Sequence, residues 1–215
     1  MVTVIQLLGI VKPETDKLKL KTNNQKLFRK EMQIFYYSVL FLFLIAVVFI
    51  FTSIYRGFFL IKAGTPWVPL KEKNIRRLLK LANLNENNIL FDLGSGEGRI
   101  VIIAAKEFKI KKAYGVEISL FLHWLAKLKV IFSRLSDKVD LKCENFFKTD
   151  LTEADVIICY LLPATLEKLK NKFLKELKPG TKILSFMFPI KGMEPEEVNR
   201  LLPDSPPIYV YKLTK

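Results

Sequence analysis

The chain has 215 residues, of which 50% are hydrophobic, and its formal net charge is +14. This length suits one ordinary domain plus an appendage. Two cysteines, without CxxC spacing or clustered histidines, exclude a disulfide-stapled scaffold and a cysteine-rich metal centre. Cys143 and Cys159 fall in apolar, strand-like segments, so we interpret both as small core residues in a reducing compartment.

The first predicted element is an apolar segment between basic flanks. No charged residue occurs from 34 to 55, and a helix of that length crosses about 30 Å of hydrocarbon. The run is too long, and too far from Met1, for a signal peptide; a buried core helix is the alternative. We predict a transmembrane helix at 34–55, after a basic segment at 1–33 and before a juxtamembrane loop at 56–73.

Helical and strand-like patterns alternate over the remaining domain, predicted at 74–215. Apolar residues at i, i+3, i+4 and i+7 predict a first helix, with Asn74 as its cap: Ile75, Leu78, Leu79 and Ala82. Further helices are predicted at 99–108, 120–131, 166–177 and 194–202. Strands are predicted at 89–91, 113–117, 139–143, 156–160, 181–186 and 208–213, the last at a sheet edge. This alternation predicts an α/β fold with a doubly wound, mainly parallel sheet.

The helix after the second strand is predicted to be capped by Ser119. Its apolar residues share one face, which we predict to pack inward: Leu120, Trp124, Leu128 and Ile131. Its basic residues are predicted to stay outside: Lys127, Lys129 and Arg134.

A glycine-rich stretch, Asp92-Leu-Gly-Ser-Gly-Glu-Gly98, joins the first strand to the next helix. Alternating glycines allow φ > 0 and remove the Cβ atoms that would keep a ligand from the backbone. Arg99 stands where the third glycine of a dinucleotide fingerprint would fall, and the Gly-Lys-Ser/Thr of a P-loop is absent. Glu117 ends the second strand about 20 residues on, where an acid for ribose hydroxyls is expected. A Rossmann-like turn that binds another ligand, or none, remains the alternative.

This acidic-x-G-x-G-x-G pattern resembles motif I of the class I S-adenosylmethionine-dependent methyltransferases, which implies a Rossmann-like methyltransferase fold and S-adenosyl-L-methionine as cofactor. The resemblance implies that Asp92 faces the amino acid end of the cofactor and that Glu117 binds both ribose hydroxyls. It further implies that Ile118 packs on adenine and that Asn145 lies near the adenine amino group, although Asn145 is otherwise read as a plain loop residue. The predicted cofactor-binding residues are Asp92, Gly94, Ser95, Gly96, Gly98, Glu117, Ile118 and Asn145. Glu97 and Arg99 are interpreted as a solvated pair at the helix start.

A narrower resemblance covers roughly residues 34–213. The apolar segment, Gly64-Thr-Pro-Trp-Val-Pro69, motif I, Glu117 followed by Trp124, and Phe188-Pro189 together resemble the membrane-anchored protein-lysine methyltransferases that include the ATP synthase c-subunit enzyme. The chain lacks the Asn-Pro that commonly follows the ribose-binding acid in that family. It also has Tyr160-Leu-Leu-Pro163 where amino-group methyltransferases often carry Asn/Asp-Pro-Pro-Tyr.

Methyl transfer to an amine is an in-line displacement that needs a neutral nucleophile. An apolar, aromatic mouth would lower the pKa of an acceptor lysine by desolvation. Trp67, Tyr160 and Phe188 are the candidates for this acceptor mouth, and for each of them a plain core position is the alternative. We predict methylation of a protein lysine. The alternative acceptor is a lipid, a quinone or another small molecule. Outside enzymes, the alternative is a non-catalytic membrane scaffold that binds the cofactor.

The expected partners are a lipid bilayer and a protein substrate, with a membrane protein as one candidate. Nucleic acid is not favoured, because no RNA-binding module or aromatic-basic stripe is visible. Basic residues are denser before the apolar segment than after it, which favours a cytoplasmic amino terminus. The cofactor is made in the cytoplasm, however, so we predict a single-pass membrane protein whose catalytic domain faces the cytoplasm; a hairpin insertion would satisfy both constraints.

Overall fold

A computed structural model of the chain describes residues 13–63 and 68–214. The chain divides into an amino-terminal unit that ends at Lys62 and a second unit that begins at Ala63. The amino-terminal unit is built on one long helix, and the second unit is an α/β domain.

Helix α1 (Pro13–Ala63) has 51 residues. Within the described residues it is the one helix long and apolar enough to cross a membrane, over Leu20–Thr52, and its apolar side chains there are exposed. The predicted 34–55 segment lies inside α1. The helix also continues over 56–63, where the sequence suggested the start of a loop, because the apolar residues there extend it.

The second unit alternates helices with strands. In chain order its elements are α2 (Glu72–Ala82), β1 (Ile89–Leu93), α3 (Arg99–Glu107), β2 (Lys112–Val116), α4 (Leu120–Phe132), β3 (Val139–Lys142), β4 (Val156–Cys159), α5 (Pro163–Glu176), β5 (Lys182–Phe186), β6 (Glu197–Asn199) and β7 (Ile208–Lys212).

The seven strands form one sheet in the order β3-β2-β1-β4-β5-β7-β6. The first five in this row pair in parallel, and β7 pairs antiparallel with both β5 and β6. The predicted doubly wound, mainly parallel sheet is therefore confirmed. The chain direction along the sheet reverses between β1 and β4, which is where open α/β sheets bind ligands, beyond the carboxyl ends of the strands.

Two hydrophobic cores cover the two faces of the sheet. Helices α2 and α3 pack on one face with Ile158 of β4, while α5 packs on the other face with Ile157. Strand β4 is buried along its whole length, as its uninterrupted apolar sequence predicts for a central parallel strand. The two cores fix the strand ends that carry the candidate site.

The carboxyl-terminal part differs from the prediction. Residues 194–202 form no helix in the structure, since β6 lies there, and β7 is an inner strand between β5 and β6 rather than the edge. Arg77 donates hydrogen bonds to the Asn199 side chain at 2.9 Å and to the Asn199 carbonyl. The amide of Glu196 donates to the Val210 carbonyl at 2.8 Å. These tertiary hydrogen bonds outweigh the local helix propensity.

Helix α4 packs the opposite way round from the prediction. Its buried residues are Leu122, Ala126 and Val130, and the predicted inward face is exposed: Leu120, Trp124, Leu128 and Ile131. The buried face of α4 packs closely against the glycine turn, residues 94–98: a Cβ built on Gly98 would lie 3.1 Å from the Ala126 Cβ, so a glycine at 98 and the small Ala126 fit together at this contact.

Two smaller predictions are also wrong. Helix α2 begins at Glu72 after Lys71, so Asn74 lies inside the first turn and is not the cap. Cys159 is buried as predicted, whereas Cys143 is exposed, because β3 ends one residue earlier at Lys142.

Candidate functional site

The glycine turn leaves β1 with three left-handed residues. Gly94, Gly96 and Gly98 have φ of +82°, +55° and +78°, a region in which any side chain is strained. The amides of Gly94 and Ser95 both donate to the Val116 carbonyl, at 2.9 and 3.0 Å. The turn is therefore tied to the end of β2 and presents bare backbone at three alternate positions.

Glu117, directly after β2, is bonded to the glycine turn. It is 8% exposed; one carboxylate oxygen accepts from the Gly96 amide at 2.9 Å and the other accepts from the Ser119 amide at 2.8 Å. Burial raises the pKa of Glu117, and the backbone hydrogen bonds oppose that rise. A carboxylate offers about four acceptor positions, so about two remain for hydroxyl donors of a ligand. Ser119 also caps α4 by accepting from the Leu122 amide at 3.4 Å, as predicted.

Asp92 lies near the end of β1 and is 2% exposed. Its Oδ2 atom and the Ser95 hydroxyl are both buried and have no hydrogen-bond partner among the described residues. An unsatisfied buried polar group costs about 1–3 kcal/mol. A ligand that brings hydrogen-bond donors, such as the ammonium and hydroxyl groups of S-adenosylmethionine, would satisfy both atoms, so the residues present fit this cofactor.

The Asp92 carboxyl gives the stability of the ligand-free protein a pH dependence. Burial, followed by repulsion from Glu117, raises the pKa of Asp92 to about 8 from the ordinary 3.8. Between these values the native chain holds a proton that the unfolded chain has released. The free energy of unfolding is therefore expected to fall as pH rises through this window, by up to about 1.4 kcal/mol per pH unit from this group, and to level off above it.

Urea denaturation of wild type and Asp92→Asn across that pH range measures the effect. The Asn variant should lose this slope, whereas Asp204→Asn, which changes an exposed carboxyl, should keep it. Equal slopes for wild type and Asp92→Asn would contradict the raised pKa.

Gly115, which was not among the predicted site residues, makes room for Ser95. A Cβ on Gly115 would lie 2.8 Å from the Leu141 Cδ2 atom and 2.9 Å from the Ser95 Oγ atom. Ser95 is 20 positions away in the sequence, and the two residues meet only because β1 and β2 are neighbours in the sheet. A glycine inside a predicted strand was the available signal of such a close approach.

Gly115→Ala is expected to lower the free energy of unfolding by about 1–3 kcal/mol, because the new methyl group overpacks the site, and to weaken cofactor binding by displacing Ser95. Urea denaturation and calorimetric titration measure the two effects. Adding Ser95→Ala removes the closer of the two Ser95 contacts and should recover part of the stability. Unchanged stability in Gly115→Ala would refute the packing role.

Glu97 is a buried residue, which corrects its interpretation as half of a solvated pair. It is 8% exposed and accepts hydrogen bonds from both Arg99 and Lys129. Burial by itself raises the pKa of this carboxyl, but the hydrogen bonds from Lys129 and Arg99 outweigh it and the pKa is lowered. The pair with Lys129 ties the glycine turn to α4 over 32 positions of sequence, so local patterns could not reveal it.

Ile118 and Asn145 flank the same strand ends. Ile118 is 51% exposed beside Glu117, which leaves an apolar surface for a flat ring. The Asn145 side-chain oxygen accepts from the Phe147 amide at 3.0 Å, and this hydrogen bond closes the loop after β3. The adenine contacts of both residues stay predictions.

The predicted acceptor residues follow β4 and β5. Tyr160 packs edge-on against Phe186, with ring centroids 5.1 Å apart, and its hydroxyl lies 4.0 Å from the Met187 sulfur. Met187 is exposed and has φ of +74°, which is strained for a residue with a side chain. Phe188 is held by the Ser185 hydroxyl, which donates to its carbonyl at 2.7 Å. Tyr160 and Phe188 pack on opposite cores, and Trp67 lies outside the described residues.

Comparison with known proteins places this chain in a family. The family described as "ANTKMT methyltransferase domain" matches residues 92–197, which begin at Asp92. A protein-lysine N-methyltransferase of Saccharolobus islandicus is 43% identical over 133 residues, covering 62% of this chain and 83% of that protein. An ATP synthase c-subunit lysine N-methyltransferase of Xenopus laevis is 25% identical, over 64% of this chain and 59% of that protein. The chain thus spans less than two thirds of the latter relative.

A solved structure agrees with the sequence relatives in being a methyltransferase, although it is named for an RNA acceptor. The crystal structure of an RNA methyltransferase from Salinibacter ruber, in complex with S-adenosyl-L-homocysteine, is 32% identical with a TM-score of 0.66, and the match covers 69% of this chain and 95% of that one. The resemblance seen in motif I and Glu117 is therefore confirmed. The chain belongs to the class I S-adenosylmethionine-dependent methyltransferases, in the family that includes protein-lysine N-methyltransferases.

Proposed function

We propose that this enzyme methylates the side chain of a lysine in a protein substrate at a membrane. The observation that carries the proposal is the similarity to the Saccharolobus islandicus protein-lysine N-methyltransferase, at 43% identity over 83% of that protein. The Xenopus laevis relative is likewise named for a lysine acceptor, in a component of the ATP synthase. Lysine is thus the acceptor named for both relatives.

The residues after β4 and β5 suit an amine acceptor. S-adenosylmethionine, when bound, supplies an electrophilic methyl group on a sulfonium. Tyr160 and the exposed Met187, whose sulfur lies 4.0 Å from the Tyr160 hydroxyl, form an aromatic and apolar surface, so an ammonium that enters it loses water and its pKa falls. The lysine can then give its proton to solvent and attack as a neutral amine, which this displacement requires. The chain's own part is to desolvate and orient the amine.

The two carboxylates have separate roles in this proposal. Glu117, held by two backbone amides, keeps two acceptor positions for the ribose hydroxyls. Asp92, whose Oδ2 atom has no partner among the described residues, takes the amino group, and the positive charge of that group favours release of the proton that Asp92 holds in the ligand-free protein. Both act by binding and orienting the cofactor, and neither is needed to move a proton from the acceptor.

Membrane attachment through α1 is part of the proposal. The 33-residue Leu20–Thr52 stretch of α1 is long enough to cross a bilayer, and its apolar side chains are exposed. We assign the catalytic domain to the cytoplasmic side because the cofactor is made there. Substrates on or near the membrane would then be within reach.

Incubating membranes and purified protein with methyl-labelled S-adenosylmethionine tests the acceptor class. Label is expected in the protein fraction and, after acid hydrolysis, in methylated lysine. Label in the RNA fraction would instead match the activity named for the Salinibacter ruber structure, and label in the lipid extract would indicate a lipid or quinone acceptor. Cofactor binding without any transferred label would refute turnover.

A further inference from the structure

Helix α4 carries an exposed apolar surface that the catalytic fold leaves uncovered. Six residues form it, and we call them the α4 arc: Leu120, Phe121, Trp124, Leu128, Ile131 and Phe132. Their exposed fractions run from 49% for Leu128 to 83% for Phe132. A soluble surface rarely exposes this many large apolar side chains together, and such patches mark interaction sites.

The arc is continuous around the helix. At about 100° per residue, its six positions fall within about 120° of the helix circumference. The buried residues Leu122, Ala126 and Val130 lie on the opposite side, so the arc faces away from the sheet.

Basic residues border the arc. Lys127 lies on one side of it, with its ammonium 5.3 Å from the Trp124 ring centroid, and Arg134 follows the end of the helix. No aspartate or glutamate occurs from 118 to 136, whereas three basic residues do: Lys127, Lys129 and Arg134. Lys129 is bound to Glu97, whereas Lys127 and Arg134 make no salt bridge within residues 13–63 and 68–214.

We propose that the α4 arc lies in the headgroup region of a lipid bilayer that contains anionic lipid. Aromatic and aliphatic side chains flanked by lysine and arginine are the composition of helices that lie in the membrane interface. The missing acidic residues and the basic border give charge complementarity to anionic headgroups. A second copy of the chain would instead place basic borders against each other. The inference rests on the proposed membrane attachment, which keeps the domain beside a bilayer.

Docking of the α4 arc on a bilayer would also position the cofactor site, because α4 contacts the glycine turn. Ala126 packs beneath Gly98, and Lys129 binds Glu97, so α4 and the glycine turn form one rigid piece. A bilayer that holds α4 therefore also holds the cofactor site at a fixed distance from the membrane surface.

Tryptophan fluorescence tests the docking with the full chain. The protein has two tryptophans, so in Trp67→Phe the only tryptophan is Trp124 in the arc, which is excited selectively at wavelengths that tyrosine does not absorb. The variant is reconstituted in vesicles of phosphatidylcholine and phosphatidylglycerol whose acyl chains are brominated near the headgroup. We expect about twofold quenching of Trp124 relative to unbrominated vesicles, and weaker quenching in pure phosphatidylcholine, because anionic lipid attracts the basic border.

Paired substitutions separate the arc from the rest of the surface. Phe121→Gln with Phe132→Gln, in the same background, should abolish the quenching. Leu201→Gln with Leu202→Gln is the matched control, since these two leucines are 66% and 69% exposed outside α4, and it should leave the quenching unchanged. Equal quenching in both double variants would overturn the proposal.

Flotation of the same samples distinguishes failure of the docking from failure of the attachment. If the chain floats with vesicles but Trp124 is not quenched, the α4 proposal is wrong and the attachment stands. If the chain does not float at all, both are wrong. Quenching by iodide in lipid-free detergent tests the remaining occupant, a second copy of the chain. If Trp124 is protected from iodide there, and the protection grows with protein concentration, the arc is a contact between two copies and the proposal is overturned.

Discussion

Gly96→Arg is expected to abolish cofactor binding and methyl transfer while leaving the domain folded. Gly96 has φ of +55°, and its amide donates to Glu117 at 2.9 Å. An arginine side chain there would project from the turn into the proposed cofactor path and loosen the hydrogen bond that holds Glu117. A left-handed backbone at a residue with a side chain costs about 1–2 kcal/mol, which a domain with about 5–15 kcal/mol of stability tolerates.

Gly180→Arg is the matched control for this strain. Gly180 is also left-handed, with φ of +87°, and an added Cβ there would meet no atom within 4 Å. Both variants therefore add the same side chain at comparable backbone cost, and only Gly96 belongs to the candidate site. Calorimetric titration with S-adenosylhomocysteine should show binding to Gly180→Arg and none to Gly96→Arg. Binding to both would refute the steric role of the glycine turn.

The sequence indicated the geometry of the candidate site wherever its residues are near neighbours in the chain. The three glycines need their left-handed conformations within one turn, and Glu117 follows directly from the end of the second strand. The strand order then brings both segments to one edge of the sheet, because alternating strands and helices permit few topologies. Asp92, the glycines and Glu117 were therefore accessible to pattern reasoning.

Contacts between residues that are far apart in the sequence could not be predicted from local patterns. Glu97 meets Lys129 only once α4 has packed against the glycine turn, a packing that includes the close contact between Gly98 and Ala126. The apolar periodicity of α4 favoured the wrong face, because a helix with apolar residues nearly all round gives no unique buried side. Within the predicted helix at 194–202, Glu197–Asn199 instead form strand β6 by pairing with β7, and Arg77 in α2, more than a hundred positions earlier, donates to the Asn199 side chain.

Glu117→Ala is expected to raise the cofactor dissociation constant by about 10²–10⁴-fold. The loss of hydrogen bonds from two hydroxyls to a charged acceptor is worth about 1.5–3 kcal/mol each, and each 1.4 kcal/mol is tenfold in affinity. Glu117→Gln keeps the shape but turns one acceptor into a donor that faces either the Gly96 or the Ser119 amide, so it should also bind weakly. Glu86→Ala removes an exposed carboxylate before β1 and should bind as tightly as wild type.

Alanine at 117 also removes the acceptor of two buried amides, and this structural effect must be separated from the lost ligand contact. The amides of Gly96 and Ser119 would each lack a partner, at a cost of about 1–3 kcal/mol to the ligand-free protein. That cost lowers the melting temperature with or without cofactor, whereas a lost ribose contact specifically removes the rise in melting temperature on adding S-adenosylhomocysteine, because ligand stabilisation depends on affinity. If Glu117→Ala melts earlier but retains the full ligand-induced rise, Glu117 supports the turn and does not bind the ribose.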